Sequence, residues 1–323
     1  MKVKPVIIGI AGTDLTLQEK ELFTQHRPLG VILFRRNIAT NDENGKKIQD
    51  KQQLIELIAS IKEVLGEQCI IAIDQEGGRV KKLIAPTFKS APSAKTFADI
   101  AEQEGLEIAT RKCKQNYKEI AEELKKLGFN LNFAPVADVR HEGAHDIVGD
   151  RSFGSNPDNV IRLCQAALEG LAEGGIRGCI KHIPGHGRAT ADSHLTLPTV
   201  EASLEELKKT DFAVFKELAK FPASKLAMTA HIIYKSLDPD NPATLSKKVI
   251  DYIKNDIAFK GLIISDAIDM KALLGKPADI TAGCFAAGID IVLECTGNID
   301  NMTAILATAP LGKIKDFSDL FIG

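Results

Sequence analysis

Residues 50–78 read DKQQLIELIASIKEVLGEQCIIAIDQEGG, and this stretch holds one complete unit of the fold. Leu54, Leu57, Ile58, Ile61 and Leu65 recur at helical spacing with Glu and Lys on the other side, which predicts an amphipathic helix over 50–65. Gly66 follows, at the place where a left-handed residue commonly ends a helix. Cys69 to Asp74 is then an unbroken apolar run, the pattern of a strand buried on both faces rather than one alternating between core and water. The run stops at Asp74, and Gln75, Glu76 and two glycines come directly after it.

The same rhythm fills the chain. Strands are predicted at Val6 to Ala11, Gly30 to Phe34, Cys69 to Asp74 and Phe129 to Val136. Four more follow at Ile176 to His182, Lys225 to His231, Gly261 to Asp266 and Gly288 to Leu293. Gly30, Gly66, Gly128, Gly175, Gly261 and Gly288 each stand between a helical pattern and the next strand, where they are expected to end helices. Alternating strand and helix predicts a parallel sheet. The first strand-to-helix connection, AGTDLT at 11–16, lacks the GxGxxG turn of an open dinucleotide-binding sheet. Eight regular units using the whole chain predict an α/β protein, a single (β/α)8 TIM barrel, with one catalytic domain over 1–323. The polar stretch NIATNDENGKKIQDKQ at 37–52 reads as an insertion after strand 2, placed to shape the rim of a site, and not as a linker.

Composition narrows the partners. Lys and Arg number 41 against 43 Asp and Glu, a net charge of −2, which predicts neither a nucleic-acid groove nor an anionic membrane surface. No apolar run approaches the roughly 20 residues of a membrane span. MKVKPVIIGIAG leads straight into the helix start TDLTLQEKELF without a small-residue cleavage site, so it reads as a first strand and not an export signal, and a cytoplasmic protein is expected. The six cysteines form no CxxC pair and are expected to be buried free thiols. No heptad or exposed sticky strand marks an interface, and a monomer is expected.

Barrels of this kind carry their active sites at the carboxyl ends of the strands, and polar residues collect there. Strand 3 runs into Asp74-Gln75-Glu76-Gly77-Gly78-Arg79, and Gly149-Asp150-Arg151-Ser152-Phe153-Gly154 comes after strand 4. Strand 5 runs into Lys181-His182-Ile183-Pro184-Gly185-His186-Gly187, with Asp192-Ser193-His194 further along the same loop. Strand 6 ends at His231, and strand 7 at Ser265-Asp266, with Asp269 three residues on. Taken singly, Asp74 reads as a helix cap, Arg79 as a surface charge and His231 as a hydrogen-bonded core histidine; their clustering at one end of the barrel is what such readings do not predict. Asp266 follows the apolar GLIIS, so a rigid strand holds its carboxylate over the barrel mouth, as suits a nucleophile or electrostatic stabiliser at an oxocarbenium-like centre. Asp192 and His194 are close enough in sequence for the carboxylate to orient an imidazole that gives and takes a proton near neutrality. Asp74, Arg79, Arg151 and Lys181 supply the fixed donors and acceptors that a polyhydroxylated ligand requires.

DQEGGRV (74–80), GDRSFG (149–154), KHIPGHG (181–187) with ADSHLTLP (191–198), and GLIISDAIDM (261–270) resemble glycoside hydrolase family 3, and more narrowly its single-domain bacterial β-N-acetylhexosaminidases. The resemblance implies a retaining double displacement in which Asp266 is the nucleophile and His194, partnered by Asp192 on the loop after strand 5, is the acid/base. It implies substrate contacts at Asp74, Arg151, Lys181 and His182. Where the family has an arginine eight positions after that first aspartate, this chain has Lys82, which keeps the charge and loses the two-pronged fork, leaving the contact to Arg79 or Lys82. It implies an exo-enzyme without metal or cofactor that takes a small-molecule carbohydrate, removing terminal N-acetylglucosamine from anhydro-muropeptides during peptidoglycan recycling. Three rival readings stand beside it. His182, His186, Asp192 and His194 are the residue types of a zinc hydrolase, although Lys181 would repel the metal. A histidine acid/base also suits phosphorolysis on the same scaffold, and a sugar-binding protein without catalysis is the third.

Overall fold

The apolar runs become eight parallel strands, numbered here 1 to 8: Lys2–Gly9, Pro28–Leu33, Ile70–Ile73, Leu131–Asn132, Ile180–Ile183, Leu226–Thr229, Leu262–Ala267 and Ile291–Glu294. The computed structural model describes residues 2–43, 46–193, 195–313, 317 and 320. Strand 1 pairs with strands 2 and 8, and the ladder continues from 2 to 3 to 4 on one side and from 8 to 7 to 6 to 5 on the other. The ring is completed at an irregular seam between strands 4 and 5. Arg177–Gly178 pair with Leu131 and Asn132, whereas Ile180 and Lys181, beyond Cys179, align with Ala227 and Met228 of strand 6. Across the seam the Cys179 N–H donates to the Ala134 carbonyl at 2.8 Å and the Ala137 N–H to the Lys181 carbonyl at 2.6 Å. The run expected as one strand over Ile176 to His182 is therefore two short segments, because it changes partner at its middle.

Both faces of the sheet are buried, which explains the unbroken apolar runs. Ile7, Ile70, Ala72, Leu226, Ile264 and Ile291 point inward and fill the barrel with Phe317 and Leu320. Ile8, Ile71, Ile73, Ile263 and Val292 point outward into a larger core beneath the helices. The helix Lys51–Leu65 contributes all five predicted apolar residues to that core, each worth roughly 1.5–3 kcal/mol when fully buried. Asp50 starts the helix, its carboxylate accepting the Gln52 and Gln53 N–H groups at 2.9 and 3.0 Å.

The glycine expectation holds in part. Gly66, Gly128, Gly175 and Gly288 have φ of 96°, 100°, 83° and 103°, the left-handed region that favours glycine. Gly30 and Gly261 do not; they are kept small by close approach, since a Cβ would meet the Ile70 carbonyl at 2.2 Å and the Lys225 carbonyl at 2.5 Å. Five cysteines are buried and free, and Cys295 is partly exposed. The insertion after strand 2 forms a hairpin, Thr40–Glu43 against Lys46–Gln49. Buried Gln49 ties it to the loop after strand 3 through the Lys82 carbonyl and the Ile84 N–H, both at 2.8 Å. No helix among the described residues is long and apolar enough to cross a membrane.

Candidate active site

The long connections at the carboxyl ends of the strands surround a cavity of about 570 Å³. Its floor is a chain of paired charges. The Lys181 ammonium, on strand 5, lies 2.9 Å from Asp74 and 2.6 Å from Glu76, both in the loop that leaves strand 3. Arg151 grips Glu76 with two parallel bonds, Nε to Oε2 at 2.9 Å and Nη2 to Oε1 at 2.8 Å. Burial opposes ionisation of Glu76, but the Arg151 and Lys181 cations outweigh it and hold the carboxyl well below the usual carboxylate range. Burial likewise opposes the two cations, and Asp74 and Glu76 overcome it, so Lys181 keeps its proton far into alkali. Such charges are tolerable away from water only when paired in this way.

A second centre is built on Asp138, just past strand 4 and fully buried. Its Oδ1 accepts the backbone N–H groups of His182 at 3.0 Å and His186 at 2.7 Å, and its Oδ2 lies 2.7 Å from His182 Nδ1. Although burial pushes the Asp138 carboxyl up, these partners hold it low, so the carboxylate places the His182 proton on Nδ1. His182 and His186 both line the cavity, their rings meeting edge to face with centroids 5.5 Å apart. The His186 ring is nearly buried, and that burial, with the nearby His182, drives its pKa down to about 4.

Asp266, at the end of strand 7, lines the cavity with one carboxylate oxygen held by the Ala267 N–H at 2.8 Å. Burial pushes its carboxyl up, but His182, His231, the Ala267 N–H and Lys181 together bring it below its ordinary value. It therefore stands ionised at neutral pH. His231 lies behind it as the core histidine expected: Nδ1 lies 2.7 Å from Thr244 Oγ1, Nε2 lies 3.0 Å from the Ala267 carbonyl, and burial holds the ring neutral. Asp269, the other acid near strand 7, accepts the Cys295 N–H at 3.0 Å and so braces the loop after strand 8.

Of the residues singled out from sequence, Asp74, Arg151, Lys181, His182 and Asp266 meet in this one cavity. Asp74 is no helix cap, since the next helix begins at Ala94. Arg79 and Lys82 also reach the cavity wall, by different means. Arg79 braces the 146–150 loop, with Nε 2.6 Å from Asp150 and Nη2 on the Asp146 and Ile147 carbonyls at 2.6 and 2.8 Å. The Lys82 ammonium stands 5.5 Å from the Phe34 ring centroid, and the Arg36 guanidinium 4.7 Å from it. Asp192 lies on the loop above, next to Ser193, which lines the cavity; His194 lies outside the described residues. Among the described residues no three His, Cys, Asp or Glu side chains converge as metal ligands. Glu76 and Asp138 were not singled out. Asp138 comes two residues after the predicted strand Phe129 to Val136, and that position was its signal.

The family model described as "Glycosyl hydrolase family 3 N terminal domain" matches residues 8–317. A β-hexosaminidase of Neisseria gonorrhoeae is 38% identical over 294 residues, covering 90% of this chain and 78% of that protein. The crystal structure of NagZ from Neisseria gonorrhoeae in complex with N-trifluoroacetyl-D-glucosamine superposes with a TM-score of 0.89 at 34% identity, covering 100% of this chain and 91% of that one. A family 3 β-N-acetylglucosaminidase from a Paenibacillus species gives a TM-score of 0.83 at 28% identity, over 94% of this chain and 56% of that one. A family profile over nearly the whole chain and a closely superposing barrel agree with the strand-end motifs: the chain belongs to glycoside hydrolase family 3 and is a glycoside hydrolase.

Proposed function

We propose that this hydrolase is a retaining exo-β-N-acetylglucosaminidase that removes terminal N-acetylglucosamine from peptidoglycan fragments, the anhydro-muropeptides, in the cytoplasm. The observation that carries the reading is Asp266: a carboxylate on a rigid strand, open to the cavity, and held ionised by the nearby His182, a backbone N–H and Lys181. In this reading Asp266 attacks the anomeric carbon while His194, oriented by Asp192, gives its proton to the departing aglycone oxygen. Water then attacks the glycosyl-enzyme and returns a proton to His194, releasing the sugar with retained configuration. Asp74, Lys181, His182 and Arg151 hold the sugar hydroxyls, and Arg79 and Lys82 stand on the rim. The similarity to proteins named β-hexosaminidase, one crystallised with an N-acylated glucosamine analogue, supports the choice of sugar.

The test is nitrophenol release from the β-N-acetylglucosaminide beside the β-glucoside, without added metal. Clear preference for the N-acetyl sugar is expected, and Asp266→Ala is expected to lose on the order of 10³-fold or more, as when a covalent nucleophile is removed. Equal release from both sugars, or wild-type turnover in Asp266→Ala, overturns the reading.

A further inference from the structure

From Thr190 to Leu197 the loop after strand 5 lies on the surface, and among its described residues Ser193 alone is buried, 2% exposed. Its Oγ sits 3.0 Å from Nε2 of His186. His186 is a fixed post: the residue is 3% exposed, and its backbone N–H is held by the Asp138 carboxylate in the connection after strand 4. Among the described residues the ring's other nitrogen, Nδ1, has no hydrogen-bond partner, so within them the bond to Ser193 is the one hydrogen bond of this imidazole. The first half of the loop has anchors of its own. Arg188 lies 2.6 Å from Asp211 and 2.8 Å from Glu206, and the Ala189 carbonyl accepts the His145 N–H at 2.8 Å. The histidine–serine bond fastens the second half, where Asp192 and His194 flank Ser193 in sequence.

We infer that His186 is a positioning residue for the hydrolytic reaction: its hydrogen bond to Ser193 is a latch that fixes the backbone at Ser193, between the two residues in sequence, Asp192 and His194, that are read as the acid/base pair. The inference rests on the acid/base reading of that pair given above. Because burial keeps the imidazole neutral down to acid pH, the latch holds over the range in which a histidine acid/base cycles.

The experiment measures kcat/KM for aryl β-N-acetylglucosaminides whose leaving phenols run from strongly to weakly acidic, in wild type, Ser193→Ala, His186→Ala and His194→Ala. Good leaving groups need little proton assistance and poor ones need it fully. The latch predicts that Ser193→Ala stays within roughly twofold of wild type on the best leaving group and falls roughly tenfold on the poorest, the scale of one lost hydrogen bond. His186→Ala should steepen the dependence in the same direction; should it fail to fold, Ser193→Ala decides alone. A uniform loss along the series, or none, overturns the latch and leaves His186 a packing residue. If His194→Ala steepens the dependence and Ser193→Ala does not, only the latch fails. If His194→Ala does not steepen it, the acid/base reading fails and the latch falls with it.

Discussion

Arg151→Met removes one cation from the buried charge chain and leaves a stem of similar shape. Glu76 then loses the bonds at 2.9 and 2.8 Å and keeps Lys181 at 2.6 Å. Removing one partner of a buried ion pair costs about 3–5 kcal/mol, because the charge left behind is under-compensated. Lys181 remains, so the low end applies, about 3 kcal/mol. With an unfolding entropy of about 2.1 cal/mol/K per residue, a chain of 323 residues shifts by roughly 1.5 °C per kcal/mol, and Tm should fall by roughly 4 °C. The pH dependence has a definite sign. In the parent, the Glu76 carboxyl is depressed from its ordinary value of 4.5, so its contribution is full above that pH and is lost as acid drives the proton on. Without Arg151 the folded-state value rises, because Lys181 alone is left to oppose burial. The deficit of the variant is therefore widest near neutrality and narrows once acid begins to protonate Glu76 in the folded variant. Circular-dichroism melts at pH 7 and pH 4 read this, beside the double variant Glu76→Gln/Arg151→Met, which carries no stranded charge and should be more stable than Arg151→Met alone. A drop of less than about 1 °C at neutral pH, well under the expected shift, or a double variant less stable than the single, refutes the claim that pairing holds this floor together.

Two further outcomes follow from the site's backbone and its histidines. Gly187→Ala drives a Cβ to 1.7 Å from the Val139 carbonyl, so the loops after strands 4 and 5 must part; soluble yield or Tm should collapse, and a well-folded Gly187→Ala enzyme of full activity would contradict the packing described. His186, whose folded-state pKa is down at about 4 from an ordinary 6.5, contributes stability that is full above 6.5 and lost as pH falls from there toward 4. Tm measured from pH 7 to pH 4 should accordingly fall less steeply in His186→Gln than in the parent, and equal slopes would show that the ring is not held neutral by burial.

The repeating unit was legible in the chain because its cause is local. A strand covered on both faces must be apolar throughout, and an exposed helix must be apolar on one stripe, so 50–74 announces both from composition and period alone. The seam at Cys179 was not legible, because nothing in IRGCIKH records that the first half of the run bonds to strand 4 and the second half to strand 6. Gly30 and Gly261 show the same limit: a glycine kept small by a neighbouring strand looks, in sequence, like one that ends a helix.

The site divides along the same line. Asp74, Lys181 and Asp266 were legible because a charge that interrupts an apolar strand at its carboxyl end has to face the barrel mouth. What each charge is held by is a relation across the sheet. Lys181 meets Asp74 across 107 residues and Arg151 meets Glu76 across 75, separations that no local period records. Glu76 lay inside a quoted motif, yet its part as the carboxylate shared by two cations appears only when strands 3 and 5 and the loop after strand 4 are brought together. Asp138 is the sharper case, because the rule that found Asp266 applied to it equally. Its burial removes it from the cavity surface, so it acts through His182 and His186 rather than beside them. Residues that face a cavity can be read from where a strand ends, whereas those that hold them in place are read only from distances.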